Sequence, residues 1–202
     1  MSKKIKNIVF DFGNVLIDWN PRYLFCKIFD TKEKLDYFMD KEWAAAEWND
    51  PLDRGETLED TKKAMLAKYP HLQREINAYY TRYFETIGSP LYETVALLYD
   101  LQKAGFATYG LTNWSNETFS VVRKELHFFD TLDGIVISGV EKIIKPDSRI
   151  YEILLNRYEL KPEETIFIDD REQNLIPARA LGINTVLFTN VEDVRKAIQK
   201  MS

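Results

Sequence analysis

The chain has 202 residues and a formal net charge of -5 at pH 7, with 45% hydrophobic and 29% charged residues. This suits one large domain, or a domain plus a sizeable insertion, with apolar residues enough for a full core, and it excludes a disordered chain. The acidic balance argues against a nucleic-acid partner, and no segment approaches the roughly 20 apolar residues that span a bilayer.

The cluster Lys3, Lys4 and Lys6 reads as a solvated end. It does not open a signal peptide, because Asp11 interrupts the apolar run after Ile8, Val9 and Phe10. That β-branched run is too short for a helix and predicts a buried strand ending at Asp11, followed by a glycine-containing turn. From Asn20 to about Ile87 the signals are helical. Asn20-Pro21 is a cap followed by a first-turn proline. Thr31 caps a second helix, Trp43 to Trp48 lies in a third, and Asp53-Arg54-Gly55 is a turn. Thr57 to Asp60 resembles a capping box. Tyr69-Pro70 ends that helix, and a last one covers about Leu72 to Glu85. The single cysteine, Cys26, cannot form an internal disulfide. Lying among Tyr23, Leu24, Phe25 and Ile28, it is expected to be a buried thiol, which points to the cytoplasm.

After Gly88-Ser89-Pro90 helix and strand alternate. Helices are predicted over 91–104, 116–126, 148–158 (capped by Asp147), 174–181 and 192–200. Strands are predicted over 107–112, 134–138, 165–169 and 185–188. Short apolar strands between amphipathic helices predict an α/β fold, a parallel sheet covered on both faces. The first strand belongs to it. Residues 1–18 and 89–202 then form a Rossmann-like core, and residues 19–88 form a small helical domain inserted after strand one.

In such sheets a site forms beyond the carboxyl ends of the strands. Those ends deliver Asp11, Thr112 with Asn113, Lys145 before Pro146, and Asp169 with Asp170, Asn174 following. Each has an ordinary reading alone: a turn carboxylate, a turn and cap, a surface lysine, a helix cap. Together they offer hard oxygen ligands for Mg2+, and a cation and donors for a phosphate dianion.

Four segments, VFDFGNV, LTN, the lysine of IIKP and FIDDREQN, resemble in order the four motifs of the haloacid dehalogenase superfamily, across residues 8–182. The helical insertion resembles that superfamily's cap, of the kind placed after the first motif. The resemblance implies a hydrolase of phosphoric monoesters acting on small phosphorylated metabolites, sugar phosphates among them. Asp11 would be the nucleophile, passing through an aspartyl-phosphate. Asp11, the Gly13 carbonyl and Asp170 would hold Mg2+, with Asp169 a ligand or an acceptor behind the ligands. Asn174 would orient that loop. Thr112 and Asn113 would hold the phosphoryl oxygens, and Lys145 would bridge nucleophile and phosphate.

One departure narrows this. Most phosphatases of the superfamily carry a second aspartate two residues after the nucleophile, as acid and base; here that position is Gly13. The D-x-G-N-V form resembles a branch of bacterial sugar-phosphate phosphatases. A good leaving group, another residue such as Asp18 or one from the insert, or a slow enzyme would each account for the glycine. The competing readings are a 2-haloacid dehalogenase using Asp11 without metal and a non-catalytic phosphometabolite-binding protein. Trp114 is a candidate pocket residue. Trp43 and Trp48 are expected in the insert's own core, and Tyr79, Tyr80, Tyr83 and Phe84 on a helix-packing surface. His71 and His127 follow no ligand spacing. The expected partner is a small-molecule substrate, with no feature setting an oligomeric state.

Overall fold

A computed structural model describes residues 5–201, so Lys3 and Lys4 lie outside the described residues. Strand β1 (Asn7–Phe10) is followed by β2 (Ile17–Trp19). A helical segment comes next: α1 (Arg22–Phe25), α2 (Lys32–Lys41), α3 (Ala45–Asp53), α4 (Leu58–Lys68) and α5 (Gln73–Thr81). It returns through β3 (Ile87–Pro90). The remainder alternates: α6 (Tyr92–Lys103), β4 (Ala107–Thr112), α7 (Asn116–Glu125), β5 (Gly134–Ile137), α8 (Ser138–Glu141), α9 (Ser148–Arg157), β6 (Thr165–Asp169), α10 (Glu172–Ala180), β7 (Asn184–Leu187) and α11 (Val191–Met201).

The period-2 rule of strands separates the two cores of the sheet. Ile8 and Phe10 of β1 and Ile166 and Ile168 of β6 enter one core with α6, α7 and α11. Val9 and Phe167, one residue out of phase, enter the other with α9 and α10. Five parallel strands in the order β5-β4-β1-β6-β7 result. This is the α/β fold expected, with its helical insert after strand one. Because β1 is central, the ends of β4, β1 and β6 are neighbours.

The insert has its own core, in which Trp48 is 1% exposed, Trp43 packs against it, and Phe25, Phe38 and Tyr79 surround them. Local capping sets its helix starts. Asn20 Oδ1 accepts from Arg22 N at 2.9 Å, Thr31 accepts from Lys34 N, and Thr57 Oγ1 accepts from Asp60 N at 3.0 Å. Each satisfies a donor the helix leaves unpaired.

Several expectations are corrected. Residues 17–19 and 87–90 pair as an antiparallel ribbon at the base of the insert. Asp18 therefore stands on a strand, where it accepts a hydrogen bond from the Tyr23 hydroxyl. The helix expected to reach Glu85 stops at Thr81 and gives way to a 3-10 turn over Tyr83–Thr86. Residues 43 and 44 precede α3 rather than lying in it, and α8 follows β5 directly. Cys26 is exposed, not buried. The short α1 and the turn after it place Leu24, Phe25 and Ile28 in the insert core, and Cys26 falls on the opposite side, where Sγ donates to the Tyr23 carbonyl at 3.5 Å. Phe84 is 44% exposed, whereas Tyr79, Tyr80 and Tyr83 are buried. Among the described residues no helix is long and apolar enough to cross a membrane.

Candidate active site

At the carboxyl edge of the central strands Lys145 is 3% exposed, and its ammonium touches three groups. It stands 2.9 Å from Asp11 Oδ1 and donates to Asp169 Oδ2 at 2.7 Å and to the Leu111 carbonyl at 3.0 Å. The lysine reaches this place because Asn113 clamps its backbone. Asn113 Oδ1 accepts from Lys145 N at 2.8 Å, and Asn113 Nδ2 donates to the Lys145 carbonyl at 3.0 Å.

The two aspartates after β6 are not equivalent. Asp169 is fully buried and its carboxylate is saturated. Oδ1 accepts from Arg171 N at 2.8 Å and Asn174 Nδ2 at 3.0 Å, and Oδ2 accepts from Asn174 Nδ2 at 3.0 Å and from Lys145. Asp170 is half-buried and lines an open cavity with Asp11, Gly13, Thr112, Asn113 and Lys145. One oxygen from each of Asp11, Asp169 and Asp170 lies within 4.8 Å of the others, the only such cluster of potential metal ligands among the described residues. Hard, anionic, convergent donors suit Mg2+ or Ca2+ better than a soft metal.

Burial dominates the electrostatics. It pushes the Asp11 carboxyl up to about 7, against the pull of Lys145 and with the help of Asp169 and Asp170. Burial and Asp169 likewise raise Asp170. Asp11 Oδ1 also accepts from Phe12 N at 2.7 Å, so this oxygen is held by two donors. The Phe12 ring is locked between Phe119 and Phe129, centroids at 5.8 and 4.7 Å, and occupies the space over Gly110 of β4.

The cavity, about 450 Å³, is closed on its far side by the insert. Trp114 lines it as anticipated, its indole N-H donating to Thr118 Oγ1 at 2.9 Å. Asp18, anticipated as a substitute acid, does not line it. The sequence reading missed Asn14, Trp19, Asn49, Asp50, Asp53, Tyr83 and Arg171, which do. The signal available for three of these was the helical spacing of Asn49, Asp50 and Asp53 beside Ala45 and Ala46, a polar stripe opposite Trp48 and Leu52. His71 and His127 face Glu42 and Asp130 at 3.5 and 3.8 Å on the surface.

A family model for haloacid dehalogenase-like hydrolases matches residues 5–182. The sesquiterpene phosphatase astK of Aspergillus oryzae (strain ATCC 42149 / RIB 40) is 31% identical over 190 residues, covering 91% of this chain and 89% of that protein. A predicted HAD-like family hydrolase from Porphyromonas gingivalis shares the fold with a TM-score of 0.71 at 23% identity, over 98% of this chain and 97% of that one. A HAD family enzyme from Bacteroides thetaiotaomicron, solved in complex with magnesium and inorganic phosphate, shares it with a TM-score of 0.66 at 23% identity, over 90% and 93%. The motifs, the sheet order with its helical insert and these likenesses place the chain in the haloacid dehalogenase-like hydrolase family.

Proposed function

We propose that the chain is a magnesium-dependent phosphatase hydrolysing small phosphorylated metabolites through an aspartyl-phosphate on Asp11. The observation that carries this is the convergence of Asp11, Asp169 and Asp170 around a buried ammonium at the floor of a cavity. Carboxylates alone would repel a phosphate; a cation beside them, with Lys145, reverses that field. The phosphatase among the relatives and the magnesium and phosphate in the Bacteroides structure support the same reading.

Asp11, the Gly13 carbonyl and Asp170 would hold the metal. Asp169, its lone pairs already engaged, positions Lys145 and the loop, with Asn174 locking it. Magnesium, when bound, supplies charge neutralisation at the phosphoryl oxygens. Lys145 and Phe12 N hold one Asp11 oxygen, orienting the carboxylate for attack on phosphorus. Thr112 contributes its hydroxyl to the phosphoryl group. Asn113 contributes its remaining amide hydrogen, its other polar groups being committed to Lys145.

Residues 19–88 act as a cap domain over the core of residues 1–18 and 89–202, excluding water and selecting the leaving group. Sugar phosphates fit the cavity wall: Trp19, Tyr83 and Trp114 offer faces for a ring, and Asn14, Asn49 and Asp50 offer partners for hydroxyls. In a metal-free dehalogenase the Asp170 carboxylate would add to the negative charge of Asp11 and Asp169, opposed only by Lys145 and Arg171.

The test is phosphate release from a panel of sugar 1-phosphates, sugar 6-phosphates and nucleotides, with magnesium and with EDTA. Release is expected only with the metal, and Asp11→Asn is expected to abolish it. Full activity in Asp11→Asn, or halide release from 2-chloropropionate that survives EDTA, would overturn the reading. Tight phosphate-ligand binding with no turnover over hours would make the protein a sensor.

A further inference from the structure

Helix α3 has two unlike faces. Trp48 and Leu52, four residues apart, are buried in the insert core, whereas Ala45, Ala46, Asn49, Asp50 and Asp53 line the cavity. That spacing is one side of a helix. The alanines leave room, and the three polar residues face whatever occupies the cavity.

Asp53 is the last residue of α3 and is seated against the sheet domain. Two residues on, Gly55 adopts φ +90°, and a Cβ there would stand 2.7 Å from the Gly139 carbonyl, at α8 beyond the end of β5. Leu58 N, at the start of α4, donates to Glu117 Oε2 of α7 at 2.9 Å. These contacts fix Asp53 relative to Asp11, not merely relative to the insert. Among the described residues no hydrogen-bond donor occupies its carboxyl.

The loop after β1 offers no alternative. A Cβ built on Gly13 meets nothing within 4 Å, so open space lies where a carboxylate beside the nucleophile would project. The leaving oxygen of an alkyl phosphate still needs a proton.

We propose that Asp53 is the general acid and base of the reaction, delivered by the insert in place of the carboxylate that position 13 lacks. This rests on the phosphatase reading above. In the first step an Asp11 oxygen bonds to phosphorus and the bond from phosphorus to the leaving oxygen breaks. That oxygen keeps the electron pair and takes the proton of the Asp53 carboxyl. In the second, a water oxygen bonds to phosphorus while the Asp53 carboxylate takes a proton from the water. The bond from phosphorus to Asp11 breaks and both carboxyl groups return to their starting forms. One ester and one water become one alcohol and one phosphate.

The surroundings suit a carboxyl that keeps its proton near neutrality. Burial pushes Asp53 up to about 8; the Asp50 carboxylate one turn back adds to this, Lys145 opposes it and Asp11 adds again. Tyr79 and Tyr83 of the insert face it, and Asp170 and Arg171 line the same cavity.

The experiment compares wild type, Asp53→Asn and Asp53→Glu as full-length, magnesium-loaded protein. Two esters are used: 4-nitrophenyl phosphate, whose leaving group needs no proton, and the alkyl phosphate that wild type hydrolyses fastest. For Asp53→Asn, kcat/KM is expected to fall about 10²–10⁴-fold on the alkyl ester and less than about tenfold on the aryl ester. Acid quenching is expected to trap a phosphorylated protein and to show a nitrophenol burst, because the second step lacks its base. The alkaline fall of kcat/KM on the alkyl ester should disappear. Asp53→Glu, which keeps the carboxyl, should recover part of the alkyl-ester activity. The same loss on both esters with no phosphorylated protein would make Asp53 only a binding residue and overturn the proposal. A wild type that releases phosphate from neither ester would instead overturn the phosphatase reading, and this role with it.

Discussion

Replacing Lys145 with methionine preserves most of its length and removes its charge. The lysine side chain is 1% exposed and stands between carboxylates at 2.9 and 2.7 Å. Removing one partner of a buried ion pair costs about 3–5 kcal/mol, because the remaining charge is stranded away from water. For a protein of this size that corresponds to a melting temperature lower by about 6–20 °C. The loss must depend on pH. Asp11 stands at about 7 in the fold against 3.8 unfolded, and Lys145 is what holds it down. A carboxyl raised by folding is neutral and unpenalised below its unfolded value. Its penalty grows as pH rises from there and saturates above the folded value. Without Lys145 the folded value moves higher still, so the penalty keeps growing past pH 7. Urea unfolding of both proteins in EDTA, at pH 5 and pH 8, measures this. The Lys145→Met deficit should be largest at pH 8. A deficit below about 1 kcal/mol at pH 8, or an equal one at both pH values, would refute the reasoning from a buried ion pair.

Two further substitutions probe the framework of the site, beside the Asp11→Asn and Asp53→Asn experiments above. Gly110→Ala places a Cβ 2.3 Å from the Phe12 ring, which is fully buried and cannot swing away. Overpacking of this kind should cost about 1–3 kcal/mol in thermal unfolding, and Gly110→Ala/Phe12→Leu should recover most of it. No loss in the single variant would mean that the ring has room to move. Gly55→Ala forces a side chain into a left-handed conformation against the Gly139 carbonyl. It should destabilise by about 1 kcal/mol or more and raise KM as the insert lifts from the sheet. An unchanged KM would show that this contact does not set the insert's place.

The strands were legible because their signal is local. Residues 107–112 and 165–169 alternate or run apolar within a few positions, and their ends carry Thr112 and Asp169 whatever the rest of the chain does. The Thr31, Thr57 and Asp147 caps were legible for the same reason: each bonds a backbone N-H two or three residues on. The β2–β3 ribbon was not, because neither strand exceeds four residues and the partners are about 70 positions apart. Cys26 was misread because an apolar neighbourhood in sequence is not one side of a helix.

The sequence by itself determined which residues arrive at the carboxyl edge of the sheet, since strand period and strand ends are short-range properties. Only the tertiary structure decided what those residues are to one another. It set Lys145 between Asp11 and Asp169, saturated Asp169 while leaving Asp170 open, and closed the cavity with the face of α3 that carries Asp53. Those relations depend on strand order and on how the insert docks, where long-range packing, not local periodicity, carries the free energy.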